Sequence, residues 1–313
     1  MKLALAGDTM LGRAVAEQLE HDPSHALFSP EIVDAVREAD AFVLNLECCV
    51  SDRGAPGPGR VFHFRAPPLA ADLLAQLGVH CVTLANNHAL DFGRDALVDT
   101  LGQLERVGIQ TVGAGVDVDR ARAVVVLEAR GFRLAVVALT DHPVGDAADQ
   151  NTPGVAYADL PRDPLPGWVA QRIAETEADA VLVTPHWGPN MKAAPVSHVR
   201  ATARALVETG ATIVAGHSAH VFHGVAPRVL YDLGDFVDDY RVDRKLRNDL
   251  GLLFVVDLAG DRLEAIPLKL EFTRTRVAIG DEAAWIRRRF RSACAPFGVE
   301  VGEERGRLVL RWR

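Results

Sequence analysis

Cysteine is sparse in this 313-residue chain and poorly placed for cross-linking: Cys48, Cys49, Cys81 and Cys294 form no CxxC pair. Adjacent cysteines such as Cys48 and Cys49 bridge only with strain, so neither a disulfide framework nor a thiolate zinc knuckle is indicated. The thiols are expected to be reduced, in a cytoplasmic protein. Positive charge is not in excess either. Lys and Arg number 34 against 42 Asp and Glu, a formal charge of -8, whereas binding to nucleic acid or to an anionic membrane calls for a basic stripe. The one basic run, Arg287 to Arg291, falls in a stretch of helical character and reads as a solvated face. Long apolar runs are missing too. The N-terminal LALA is broken by Gly7 and Asp8, too short for a signal-peptide core or a membrane span. No repeat or low-complexity tract appears.

What is present has the balance of a globular protein, 49% hydrophobic and 24% charged. Short apolar runs (KLALAG, AFVLNLE, HCVTLANNH, IQTVGAG, AVVVLEA, RLAVVAL, AVLVTPHWG, TIVAGHSAH, RVLYDLG) alternate with amphipathic stretches. That rhythm predicts an α/β protein with a largely buried sheet. Helical spacing over 69–77, 93–107, 167–176 and 197–209 predicts the helices that cover it. The Gly- and Pro-dense segment 53–60 predicts an exposed loop close behind Glu47, and 141–166 a second loop able to form a substrate wall. From residue 281 the pattern changes to a helix and two short strand-like runs. The expected division is a main domain over 1–275 and a small helix-plus-hairpin appendage over 276–313, docked through Trp285, Phe290 and Phe297.

Polar residues recur at the C-terminal ends of the predicted strands: Asp8, Glu47, Asn87 with His88, His186, and His217 with His220. In open α/β sheets that edge is where sites form. Taken singly, each has an ordinary explanation, Asp8 as a helix cap and each histidine as a satisfied structural residue. Five strand ends bearing carboxylate, amide and imidazole are hard to explain by caps alone. The mixture suits a borderline divalent metal, Mn, Fe or Zn, better than calcium or structural zinc. In GHSAH the two imidazoles sit three apart in a turn after a strand, where Gly216 allows close backbone approach to a bound group. Such a turn can feed two neighbouring ions, with Glu47 as the bridge between them. His21, His25, His80 and His198 have no partner at metal spacing, and His63, His142 and His223 are expected near the site without ligating.

The motifs GDTMLGR (7–13), NLE (45–47), FRAPP (64–68), NNHALDFG (86–93), HWG (186–188), GHSAH (216–220) and YDLGDF (231–236), in this order, resemble the capsule-synthesis CapA family, associated with poly-γ-glutamate and placed in the calcineurin-like metallophosphoesterase superfamily. The resemblance covers about residues 2 to 270. It implies an αββα sandwich of two mixed sheets flanked by helices. It implies that Asp8, Glu47 and His220 hold one metal and Glu47, Asn87, His186 and His217 a second, with His88 beside the substrate as acid or electrostatic stabiliser. Superfamily enzymes usually carry a further histidine ligand two residues after the first Asp; here that position is Met10, which leaves the first site a ligand short. GHSAH keeps only the outer histidines of the usual GHHPH, and YDLGDF places Asp232 and Asp235 near the site.

Arg13, Arg65 and Trp187 are the candidates for substrate contact. Each arginine has a structural ion pair as its alternative, and Trp187 has a packing wall that fixes His186. The expected function is a metallohydrolase holding one or two divalent ions. In it Asp8 and His88 take part in the attack of metal-activated water on a phosphoester or an amide such as a γ-glutamyl linkage. Its substrate would be a small molecule or peptide-like. The alternative is a non-catalytic, metal-pinned component of a poly-γ-glutamate or capsule assembly, working beside a ligase-type partner.

Overall fold

Strand Lys2–Thr9 shows how the sequence builds the layers. Its side chains alternate, Leu3 and Leu5 entering one apolar cluster, Ala4 and Ala6 another. A strand apolar on both faces must be covered on both. The computed structural model describes residues 1–22 and 27–313, so His25 lies outside the described residues. Strand Lys2–Thr9 sits inside a ten-stranded mixed sheet, parallel to Ala41–Leu46 and antiparallel to Leu250–Asp257. A six-stranded mixed sheet lies against it, with Ala180–His186 between the parallel strands Phe132–Thr140 and Ile213–Ala215.

Three apolar layers follow from this pairing. Leu3, Leu5 and Val43 meet Leu134, Leu182 and Ile213 between the two sheets. Ala4, Phe42 and Leu44 pack beneath Leu19, Ile32, Leu74 and Leu97 of the helices Arg13–His21, Pro30–Arg37, Leu69–Leu77 and Arg94–Arg106. On the far side Val137, Val181 and Val183 pack against Val169, Ile173, Val199 and Leu206 of helices Gly167–Ala174 and Ser197–Thr209. The result is the αββα sandwich of two mixed sheets that the sequence implies. No helix among the described residues is long and apolar enough to cross a membrane.

The alternation is interrupted where it matters for the site. Pairing of Lys2–Thr9 with Ala41–Leu46 shifts register between Ala6 and Asp8, and a bulge of this kind re-aims the side chains beyond it. At the shift stands Gly7, where an added Cβ would lie 1.7 Å from the Gly234 carbonyl oxygen. Only glycine lets those two backbones pass. The short strand Asp235–Val237 then runs parallel to the first strand with Asp235 opposite Asp8.

The stretch 276–313 supplies helix Gly280–Cys294 and a hairpin, Gly302–Glu304 with Arg307–Arg311, that pairs with Arg262–Glu271 and extends the larger sheet. Trp312 is fully buried in the inter-sheet cluster, and its indole N–H donates to the Asp257 carbonyl at 3.1 Å. Trp312→Ala should therefore lower the stability of the whole fold by about 3–5 kcal/mol, the range for emptying an aromatic site in a core. Chemical denaturation followed by tryptophan-independent circular dichroism measures it. A loss below about 1 kcal/mol would mean that the hairpin is not part of the cooperative unit.

Candidate metal centre

Both sheets deliver their strand ends to one rim. The larger sheet brings Asp8 near the end of Lys2–Thr9, Glu47 just after Ala41–Leu46, and Asn87 and His88 in the turn that follows Cys81–Thr83. The smaller sheet brings His186, last residue of its strand, and His217, two residues beyond Ile213–Ala215, and the two histidines pair with each other as a β-bridge. Asp8, Glu47, His186, His217 and His220 are all buried, Glu47 completely.

Distances close the cluster. His217 Nδ1 is 3.5 Å from Asp8 Oδ1 and His220 Nδ1 is 3.4 Å from Asp8 Oδ2. Glu47 turns one oxygen to each side, Oε1 at 3.9 Å from His186 Nε2 and Oε2 at 3.8 Å from His220 Nδ1. That is the disposition of a carboxylate placed between two cation positions. Two trios of ligand atoms lie within 4.8 Å of one another, Asp8–Glu47–His186 and Asp8–His220–Asp235.

The residues fit a divalent metal by a test internal to the molecule. Buried polar atoms are almost always hydrogen-bonded, yet Glu47 Oε1 and Oε2, Asn87 Oδ1, His217 Nδ1 and Asp235 Oδ2 are buried and have no hydrogen-bond partner among the described residues. Carboxylate oxygen, amide oxygen and imidazole nitrogen are the donors that Mn, Fe or Zn accepts. The neighbours hold these groups without using up their free atoms. Thr184 Oγ1 pairs with His217 Nε2 at 2.9 Å, and Asn45 Nδ2 donates to Asp8 Oδ1 at 2.7 Å. Asn86 Nδ2 in turn donates to Asn45 Oδ1 at 3.0 Å.

Electrostatics agree with a missing positive charge. Burial, then the Asp8 charge, push the Glu47 carboxyl well above its ordinary range. Burial acts on Asp8 in the same direction, but its contacts with His217 and His220 outweigh it and hold Asp8 well below. Burial first, helped by the neighbouring His142, His217 and His220 and opposed by Asp8, pulls His186 down toward neutral imidazole, the form that ligates. For His220 burial is overcome by the surrounding carboxylates, Asp235 first, and its pKa rises.

Sequence reasoning did not anticipate the partner of His88. Its Nδ1–H donates to Asp91 Oδ2 at 2.6 Å, and its ring lies 4.3 Å from that of Phe64. Asp91 is itself tied to Arg60, which also reaches the Asn87 carbonyl at 2.5 Å and Asp146 from the second loop. The signal was present in NNHALDFG, an Asp three residues after a His. Asn45 and Asn86 were likewise inside quoted motifs.

Several expectations are corrected. Trp187, a candidate for substrate contact, is 2% exposed in the core beneath the smaller sheet, and its indole donates to the Tyr231 carbonyl at 2.9 Å. It is a packing wall with no face free for a substrate. Gly216 makes room for Trp187 and for the Tyr231 carbonyl, not for a ligand, since an added Cβ would lie 2.4 Å from the indole nitrogen. Asp232 carries no free oxygen: Ala219 N–H and Gly234 N–H each donate to it, at 2.8 and 2.9 Å, bracing the turn that holds His220. Arg13 is paired through its guanidinium with Asp239 and stacked over Phe64 and Tyr240, so its charge is already matched. Arg65 lies over the Phe92 ring at 4.3 Å and lines, with Arg13 and His63, a groove of about 340 Å³. His142, whose ring is 5.3 Å from that of His186, pairs with Asp141.

Comparison with known proteins gives a concordant result. The family described as "Bacterial capsule synthesis protein PGA_cap" matches residues 2–240. A Mycobacterium tuberculosis protein named "Probable polyglutamine synthesis accessory protein" is 30% identical over 354 aligned residues, covering 95% of this chain and 92% of its own. The Bacillus subtilis "PGA biosynthesis protein CapA" is 30% identical over 76% of this chain and 63% of its own. Among solved structures, one described as a novel phosphatase from Mycoplasma pneumoniae covers 88% of this chain and 90% of its own, at TM-score 0.49 and 12% identity.

Beside the centre, His223 makes a pH-dependent contribution to folding. Its Nε2 pairs with the Lys192 carbonyl at 2.8 Å, its Nδ1 is buried without a partner, and burial lowers its pKa to about 4. The unfolded chain takes up this proton near pH 6.5 and the fold only near pH 4, so stability falls as pH drops through that window. Between pH 7.5 and 5 the parent should lose about 2 kcal/mol more than His223→Gln in urea denaturation. Equal losses in the two proteins would exclude the assignment.

Proposed function

This chain belongs to the bacterial capsule synthesis protein family, and from that premise we propose that it is a metal-dependent hydrolase of a phosphoester or γ-glutamyl-type amide bond. The observation that carries the reading is the set of unpartnered buried ligand atoms on Glu47, Asn87, His217 and Asp235 beside an oriented His88–Asp91 pair. A divalent cation bound there would lower the pKa of water toward neutrality and polarise the scissile phosphoryl or acyl group. Asp8, Glu47, Asn87, His186, His217 and His220 are the residues assigned to hold it.

The remaining chemistry belongs to this chain's own groups. Asp91 accepts the Nδ1–H of His88, which leaves Nε2 as the atom available to the substrate. As imidazolium, His88 would donate its Nε2 proton to the departing alkoxide or amine and return to the neutral Nδ1–H form that Asp91 holds. Phe64 fixes the plane of the ring, and Arg60 fixes Asp91. Positioning of this kind is what an acid catalyst needs if its proton is to arrive as the leaving bond breaks.

A second reading has its own support. The M. tuberculosis relative is named an accessory protein, and a chain that uses its metal as a structural pin beside a polymer-forming, ligase-type partner would deserve that description. This reading predicts metal that raises the melting temperature, no turnover, and co-purification with the partner enzyme.

Metal analysis of protein purified without chelator, followed by assays on aryl phosphoesters and γ-glutamyl peptides, separates the two. Under the hydrolase reading, Asp8→Asn should lose bound metal and at least 10²-fold in turnover, and an unchanged rate would remove the mechanism. His88→Asn should keep its metal while kcat drops by about 10²–10⁴-fold, the usual worth of a general acid. Loss of metal in that variant would instead place His88 among the ligands.

A further inference from the structure

We propose that Asp235 is a direct ligand of the cation held by Asp8 and His220; the inference rests on the metal-dependent reading above and extends its ligand set. The pairing of two parallel strands sets Asp235 opposite Asp8, with their register shifting just beyond that pair. Asp8, His220 and Asp235 each offer a ligand atom within 4.8 Å of the others. Asp235 Oδ1 is 2.8 Å from His220 Nδ1, the same nitrogen that faces Asp8 Oδ2 at 3.4 Å and Glu47 Oε2 at 3.8 Å.

An acidic cluster alone would not make a site, but Asp235 is 2% exposed and its Oδ2 has no hydrogen-bond partner among the described residues. A carboxylate so deeply buried with a free oxygen is costly unless positive charge meets it. Asp238, also buried with an unpartnered Oδ2, stands close enough to Asp235 to share a proton with it, but as a carboxylate it adds negative charge rather than relieving it. Met10 cannot serve this trio. It is buried in the apolar layer under the helices, and its sulfur accepts the Gly12 N–H at 3.1 Å. Asp235 supplies an oxygen where Met10 supplies nothing.

The opposing role is an orienting one, with Asp235 holding His220 from behind and never touching the ion. Both roles predict weaker binding on substitution, so the ion's position must also be read. Equilibrium dialysis of the full chain against Zn²⁺ should give two ions per chain for the parent and one for Asp235→Asn, with circular dichroism unchanged. Two ions held by Asp235→Asn with affinities within threefold of the parent would overturn the proposal. A single ion in the parent that persists in the variant would also overturn it while leaving the metal-dependent reading intact. No ion in the parent would remove both.

A crystal of the unaltered chain soaked in Zn²⁺ decides the matter even if the variant fails to fold. The expected result is an anomalous peak about 2.0–2.2 Å from an Asp235 oxygen, the Zn–carboxylate bond length. A peak on Asp8 and His220 with Asp235 bonded only to the His220 ring, or to Asp238, would assign it the orienting role and overturn the proposal.

Discussion

Two carboxylates buried side by side, Asp8 and Glu47, impose the condition that the rest of the molecule answers. Isolated buried charge is severely unfavourable, and two such charges in one pocket repel. The arginines nearest in the sequence motifs do not neutralise them, because Arg13 is paired with Asp239 and Arg60 with Asp91 and Asp146. What surrounds the pair instead is imidazole from the other sheet. The larger sheet thus presents negative charge, the smaller one presents neutral or protonatable nitrogen, and their common edge is a place where a dication satisfies both.

Holding that arrangement strains the backbone at identifiable points. Ser218 and His220 both have positive φ, 107° and 57°, in the turn that carries the last histidine. Non-glycine residues in such conformations cost on the order of 1–3 kcal/mol each and persist only where neighbours enforce them. Here the enforcement is visible. Ser218 N–H donates to Asp8 Oδ2, Ser218 Oγ donates to the Gly188 carbonyl, and Asp232 takes the Ala219 N–H. The strained turn is fastened at one end to the carboxylate it serves and at the other to the strand that carries His186. Gly7 and Gly234 complete the fastening by letting the Asp8 strand lie against the Asp232–Asp235 segment.

Much of this could be read from the chain itself, and the parts that could not have a common cause. Helices expected over 69–77, 93–107 and 197–209 are found at Leu69–Leu77, Arg94–Arg106 and Ser197–Thr209, because their apolar spacing is set by one covered face. IQTVGAG was read as one run, but Gly113, at φ 88°, divides it into Gln110–Val112 and Ala114–Gly115. Strand ends pointed to Asp8, Glu47, His186 and His217 since chemistry at a sheet edge is a matter of sequence position. Which of two neighbouring polar residues faces inward is not. Asp232 and Asp235 are three apart in one motif, yet the first is consumed by backbone amides and the second is left with a free oxygen. Gly216 misled for the same reason, since what it faces is settled by the packing of distant strands, whereas the packing-wall reading of Trp187 holds.

Under the proposed reading, the acid and the last histidine ligand are positioned by different contacts. An aromatic chain runs from Phe62 through Phe64 to Tyr240, touching the His88 ring at its middle, Phe64, and the His220 ring at its Tyr240 end. Arg13 stacks on it without entering the centre. His88 is therefore positioned by Phe64 and Asp91, and the His220 ring by Tyr240. Under the proposed reading, the two histidines share a wall but no hydrogen bond, so the acid would be lost with the ion retained. On that reading, cation binding would rest on unsatisfied buried charge and proton delivery on the orientation of a single ring, with the Arg60 contact to the Asn87 carbonyl joining the two.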